Sequence, residues 1–266
     1  MTAAGVARGA WVVAYREVLG FVRDPSRIVA SVTFPLLFLV IFGAGFNNVI
    51  GQMAPGVDLI RFMYPGIISM AVLTSALSAG MSVVTDREDG FLREILVAPL
   101  SRAGIVLGKA AGAAAVALLQ ALLLLAIAPL AGVDLDVGLV ARLVPIVVVL
   151  SLVLSGLGIM IGSFMRSQQG FQMILQVMVF PMVFLAGVFY PVDTLPVWME
   201  ILSKSNPVTY GVDAIRQVFL GSHPAAAGLG VTVFGHTMGL GAEVAMVTAL
   251  GLVLLTGAVI AFSRQE

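Results

Sequence analysis

Residues 85–102 read TDREDGFLREILVAPLSR. They carry seven charged side chains, Asp86, Arg87, Glu88, Asp89, Arg93, Glu94 and Arg102, out of 28 in a chain of 266 residues. Before them runs MYPGIISMAVLTSALSAGMSVV (63–84), and after them AGIVLGKAAGAAAVALLQALLLLAIAPL (103–130), whose single charge is Lys109. Each flank matches or exceeds the ~20 apolar residues that a helix needs to cross a bilayer. The pattern is that of a charged loop joining two spanning helices.

Composition extends this reading to the whole chain. It is 60% hydrophobic and 11% charged, with a mean hydropathy of +1.08. A soluble domain, with about 25% charged residues, sits far from these values. The net charge is zero, which gives no footing for nucleic-acid binding. There is no cysteine, so disulfides, thiolate metal sites and thiol catalysis are excluded. Two isolated histidines, His223 and His236, do not suggest a metal centre.

Six runs have spanning length, at about 28–46, 64–85, 104–130, 143–165, 171–190 and 238–262. They are continuously apolar, unlike the alternating ~9–11-residue strands of a membrane barrel. Helices satisfy their own backbone polar groups in lipid, so the expected class is an all-α polytopic membrane protein. Pro35, Pro145 and Pro181 lie inside runs and are candidate kinks. The first run starts late and lacks a small-x-small cleavage site, so it reads as an uncleaved span.

Lys and Arg set the orientation. With both termini on one side, that side holds ten basic residues and the other four, Arg61, Arg142, Lys204 and Arg216. Both termini and loop 86–103 are therefore expected in the cytoplasm, in a cell (inner) membrane, with residues 263–266 as a cytoplasmic tail. Residues 1–27 are expected to be an interfacial helix preceding a six-span domain, 28–262. In this segment Trp11, Tyr15, Val18 and Val22 share a helical face, edged by Arg16 and Arg23. In the extracellular loop 191–237, Asp193 or Thr194 is expected to cap one short helix, and Asn206-Pro207 to start a second. Both should lie against the outer leaflet or dip into it.

Familiar chemical motifs are absent or misplaced. GIVLGKA (104–110) is one residue too short for a phosphate-binding loop and has Ala110 where a magnesium-binding hydroxyl belongs. Gly158 and Gly162, in GLGIMIG (156–162), form a small-xxx-small face inside a span. Glu243 reads as an interfacial carboxylate near the outer end of the last span, and Lys109 as a snorkelling cation. The spans thus supply neither an energy source nor a catalytic group.

At this point the charged loop becomes specific. DREDGFLREILVAPLSRAGIVLGK (86–109) resembles the cytoplasmic loop of type-2 ATP-binding-cassette permeases, at Glu88, Asp89, Gly90, Arg93, Leu96, Pro99, Arg102, Gly108 and Lys109. FLAGVFYPVDTLPVWMEILSKSNPVTYGVDAIRQVFLG (184–221) resembles the same family's region before the last span, at Gly187, Tyr190, Pro191, Pro196, Asn206, Pro207, Asp213 and Arg216. REVLGFVRDPSRI (16–28) fits the family's helix before the first span, so the resemblance covers nearly the whole chain. Within the family the chain is most similar to daunorubicin-resistance-type permeases.

The resemblance implies a half-transporter. Two permease subunits, identical or paralogous, would pair in membrane lipid and dock separate ATPase subunits that bind ATP and magnesium; the permease itself would bind no cofactor. Loop 86–103 would be the coupling helix, with Phe91, Leu92, Ile95 and Leu96 as its apolar arc and Glu88, Asp89, Gly90, Arg93, Pro99 and Arg102 setting register and turns. By the same analogy the second and fifth spans would line the substrate pathway. The candidate residues are Met70, Thr74, Ser78 and Met81 in one and Gln172, Gln176, Phe180 and Phe184 in the other, each set at near-helical spacing. The expected activity is ATP-driven export of a hydrophobic drug, lipid or lipid-linked glycan by alternating access. A membrane-embedded lipid-modifying enzyme and a channel or scaffold are the alternatives.

Overall fold

A computed structural model of the chain describes residues 3–53, 59–90, 101–133, 135–221, 230–233 and 236–264. The protein is an all-α polytopic membrane protein. Its helices are α1 (Ala3–Val22), α2 (Pro25–Met53), α3 (Leu59–Leu77), α4 (Ala79–Glu88), α5 (Arg102–Ile127), α6 (Val137–Phe164), α7 (Gln168–Leu185), α8 (Val197–Ser205), α9 (Pro207–Leu220) and α10 (Leu240–Ser263). Two-residue strands, β1 (Thr232–Val233) and β2 (His236–Thr237), pair antiparallel before α10.

Five segments are long and apolar enough to cross a membrane: Phe62–Glu88, Arg102–Leu130, Val137–Phe164, Gln168–Leu185 and Leu240–Ser263. A sixth comes from the pair α1 and α2, which bend by 77° at Arg23–Asp24. The bend separates α1 from α2. Trp11, Tyr15 and Val22 face out of the bundle, at 72%, 58% and 54% exposure. The opposite face of α1 lies on α5, where Gly108 and Gly112 leave room. A Cβ on either would come within 2.8 Å of α1, at Ala10 O or Glu17 Cβ.

Helices associate in lipid by close packing, because burial of apolar surface gains little there. Glycine provides it where α6 meets the end of α3 and the start of α4. A Cβ on Gly158 would sit 2.4 Å from Leu77 O, and one on Gly162 2.4 Å from Gly80 O. The small-xxx-small face is thus the contact between these helices. The second span breaks here, at Ser78, whose hydroxyl donates to Ser75 O. Helices α2, α6 and α7 run through Pro35, Pro145 and Pro181.

The segment before the last span differs from the sequence reading in the cap of its first helix and in the burial of its second. Neither Asp193 nor Thr194 caps α8; both belong to a 3-10 turn, Val192–Thr194, and Pro196 precedes the helix. Helix α9 is covered by other helices. Its residues 208–216 are all buried, packed against α3, α6 and α10. Gly211 permits this, since a Cβ there would lie 2.6 Å from Leu150. Helix α8 does present Val197, Trp198 and Ile201 outward.

Candidate transport pathway and its coupling framework

The eight residues read as pathway candidates line one cavity of about 550 Å³. Met70 and Thr74 come from α3, Ser78 from the break, Met81 from α4, and Gln172, Gln176, Phe180 and Phe184 from α7. The sequence reading missed the third wall, formed by Arg27, Phe34 and Phe38 of α2. Their spacing of seven and four residues puts them on one helical face, a signal available in the sequence.

The cavity is polar at one end and aromatic at the other. Arg27 lies in the first turn of α2 and Gln172 in the second turn of α7. Phe38 and Phe184 lie 11 and 12 residues further along, about 17 Å along each helix axis. At that far end the rings form a chain: Phe34 to Phe38 at 5.1 Å, Phe38 to Phe189 at 6.1 Å, Phe189 to Phe184 at 5.1 Å and Phe184 to Phe180 at 4.3 Å.

The proposed coupling residues divide. Phe91, Leu92, Arg93, Ile95, Leu96 and Pro99 lie outside the described residues. Glu88, Asp89, Gly90 and Arg102 flank that segment. Gly90 has a φ of +74°, a left-handed turn that favours glycine. Glu88 Oε1 accepts from Gln168 N at 3.1 Å, at the start of α7. Arg102 donates to Ser263 O at the end of α10, and Arg87 to Ser163 O and Met165 O at the end of α6. An anion at a helix N-terminus and cations at C-termini complement the helix dipoles and their unpaired backbone groups. The base of the loop thus holds the ends of three spans on its own side of the bundle.

One turn deeper is a four-charge cluster. Asp86 Oδ2 accepts from Lys109 Nζ at 2.5 Å, and Asp86 Oδ1 from Arg16 at 3.0 Å. Lys109 also donates to Ser82 Oγ at 2.6 Å, and Ser82 donates to Glu17. Lys109 does not snorkel to water, as its position at a span end had suggested; it is 1% exposed and reaches a carboxylate instead. Two acids and two bases from α1, α4 and α5 balance in charge.

On the opposite side, the residues that carried the second stretch of resemblance serve backbone carbonyls at and just beyond the end of α7. Asn206 Nδ2 donates to Met182 O at 2.8 Å, Tyr190 to Phe184 O, and Arg216 to Gly187 O at 2.5 Å. Asn206 Oδ1 also caps α9 through Val208 N, and Asp213 Oδ2 accepts from Val231 N at 2.9 Å. Arg216 stacks on Phe62 at 4.1 Å and lies 3.9 Å from Asp213. Glu243 is not interfacial. It is fully buried beside Asp213 and Arg216, with both carboxyl oxygens lacking a donor among the described residues. On α8, the ammonium of Lys204 loses solvation, but the hydrogen bond to Glu200 and the charge of Asp193 outweigh this and raise its pKa.

Of the loop acids that a lipid-modifying enzyme would use, Asp86, Glu88 and Asp89, Asp86 is held in the four-charge cluster and Glu88 accepts from Gln168 N.

Comparisons with known proteins agree. The chain is 29% identical over 222 residues to the inner membrane transport permease YadH of Escherichia coli (strain K12), covering 83% of this chain and 85% of that protein. It is 28% identical over 206 residues to the transport permease ycf38 of Cyanophora paradoxa, covering 76% and 70%. It is 34% identical over 169 residues to the multidrug ABC transporter permease YbhR of Escherichia coli (strain K12), covering 62% of this chain but 45% of that protein. The profile of the ABC-2 type transporter family matches residues 8–220, and the chain belongs to that family as a multi-pass transport permease.

Proposed function

We propose that this permease is the membrane half of an exporter in the inner membrane, with both termini cytoplasmic. It pairs with a second permease copy and docks a separate ATPase that holds ATP and magnesium. The observation that carries the reading is the cavity between α2, α3, α4 and α7, polar at one end and closed by phenylalanines at the other. Its polar end lies on the side of the charged loop, where Glu88 meets the start of α7. ATP binding moves the loop, the loop moves the attached helix ends, and the cavity changes its open side.

The second copy covers α7. This helix is the least buried of the five unbroken spans and, beside its cavity face, exposes Gln169, Met173 and Val177. An amide side chain left against lipid is costly, and a second helix bearing the same amide satisfies it.

The test uses the chain reconstituted with its ATPase. Thr74→Trp fills the cavity, and should abolish transport while ATPase docking persists. Glu88→Ala or Arg93→Ala should weaken docking or turnover while the protein still inserts. The chain has no native cysteine, so Val177→Cys gives a single thiol that should form a disulfide between copies. Unimpaired transport by Thr74→Trp sinks the pathway reading. A tag after Gly221 reachable only in permeabilised cells overturns the orientation.

A further inference from the structure

Resting on the pathway reading, we propose that the cavity takes an amphiphile with an anionic headgroup, held at its inner end by Arg27. Arg27 is the one charged residue among those lining the cavity. Its guanidinium sits over the Phe21 ring at 5.8 Å and forms no salt bridge among the described residues.

The neighbouring carboxylates are otherwise engaged. Asp24 accepts from Ser26 Oγ at 2.5 Å and from the backbone N of Arg27 at 3.1 Å, so it is committed to the start of α2 and does not line the cavity. Glu17 shares a small void with Arg27 and Ser78. It is held by Ser82 and lies 3.9 Å from both Arg16 and Lys109. The charge of Arg27 is felt by Asp24, but Arg27 forms no salt bridge among the described residues and lines the cavity.

The rest of the lining fits the remainder of such a molecule. Ser78 and Gln172 offer hydrogen bonds near the cation, and the far end is phenylalanine. A headgroup at Arg27 would leave about 17 Å of wall for the rest of the molecule, apolar toward the phenylalanine end. The volume lies within the ~300–1,000 Å³ range of small-molecule sites. A cationic amphiphile of the same shape would bring its charge to the guanidinium and be repelled. The site thus discriminates by headgroup sign, with the apolar contacts shared by both.

The experiment uses the full chain in phosphatidylcholine vesicles and two single-chain probes with a diazirine in the tail. They differ only in headgroup, carboxylate or trimethylammonium. Photolabelling of α2 and α7 peptides is measured by mass spectrometry and normalised to lipid-facing peptides of α10. The carboxylate probe should label the cavity peptides roughly tenfold more than the ammonium probe. Arg27→Lys should keep this preference and Arg27→Glu invert it, and Arg27→Lys guards against a folding defect in Arg27→Glu. Equal labelling by the two probes, or a preference unchanged in Arg27→Glu, overturns the headgroup assignment and leaves the pathway intact. Labelling of cavity peptides no higher than the α10 background by either probe removes the pathway reading itself. Competition by inorganic phosphate alone overturns the assignment to an amphiphile.

Discussion

Lys109 Nζ lies 2.5 Å from Asp86 Oδ2, and both side chains are nearly sealed from solvent, at 1% and 8% exposure. Desolvating two charges is expensive, so removing one partner costs more than the pair itself contributes. Lys109→Met should therefore lower stability by about 3 kcal/mol, with Arg16 limiting the loss by keeping its contact to Asp86. Lys109→Met with Asp86→Asn should recover part of it. The unfolding midpoint in detergent measures both. A double variant no more stable than the single one would show that the two charges are not coupled.

Gly158 tests the packing of the second span on α6. An alanine Cβ there would lie 2.4 Å from Leu77 O, a backbone atom that cannot turn aside. Overpacking of this kind costs roughly 1–3 kcal/mol, so Gly158→Ala should lower the midpoint by several degrees. A Cβ on Gly20, in α1, would meet nothing within 4 Å. Gly20→Ala should leave the midpoint unchanged or raise it, since alanine favours helix by up to about 1 kcal/mol. Equal effects at the two positions would remove the close-approach argument.

Periodicity made the helices and two cavity walls legible. Met70, Thr74, Ser78 and Met81 form one stripe, and Gln172, Gln176, Phe180 and Phe184 another, so each was visible within its own span. The meeting of the stripes, and the third wall at Arg27, Phe34 and Phe38, depends on which helices neighbour each other. The same limit hid the partners of Lys109, which lie on α1 and α4. For α9 the amphipathic pattern identified an apolar face, but long-range packing decided that its polar face is covered too. Asp213 and Arg216 could enter the interior because each meets groups on other elements, Val231 N and Gly187 O.

Arg216 and Glu243 should respond oppositely to neutral substitution. Arg216→Gln removes the donor to Gly187 O, the stack on Phe62 and the only cation beside Asp213 among the described residues. Its cost should be about 3–5 kcal/mol. Glu243→Gln instead supplies an amide donor next to Asp213 Oδ1, which lacks one among the described residues. It should be neutral or stabilising by up to about 1 kcal/mol. Paired midpoints decide this; comparable losses in both variants would mean that Glu243 is a required anion.

Asp24 gives the junction of α1 and α2 a dependence on pH. The hydrogen bond from the Ser26 hydroxyl, followed by that from the Arg27 backbone, holds its carboxyl below the ordinary value of 3.8. A group whose pKa falls on folding stabilises the protein in its ionised form. That contribution is present well above the unfolded value of 3.8 and is lost as the pH falls through it toward the lower folded value. Asp24→Asn keeps an oxygen acceptor for the start of α2 and removes the titration. Between about pH 5 and pH 3 the wild-type midpoint should therefore fall further than that of Asp24→Asn, with the two curves parallel above this window. Asp24→Ala should loosen the first turn at every pH and, because Arg27 lies in that turn, weaken the preference for a carboxylate probe in the cavity. Parallel curves across the whole window would show that the capping carboxylate does not titrate with folding.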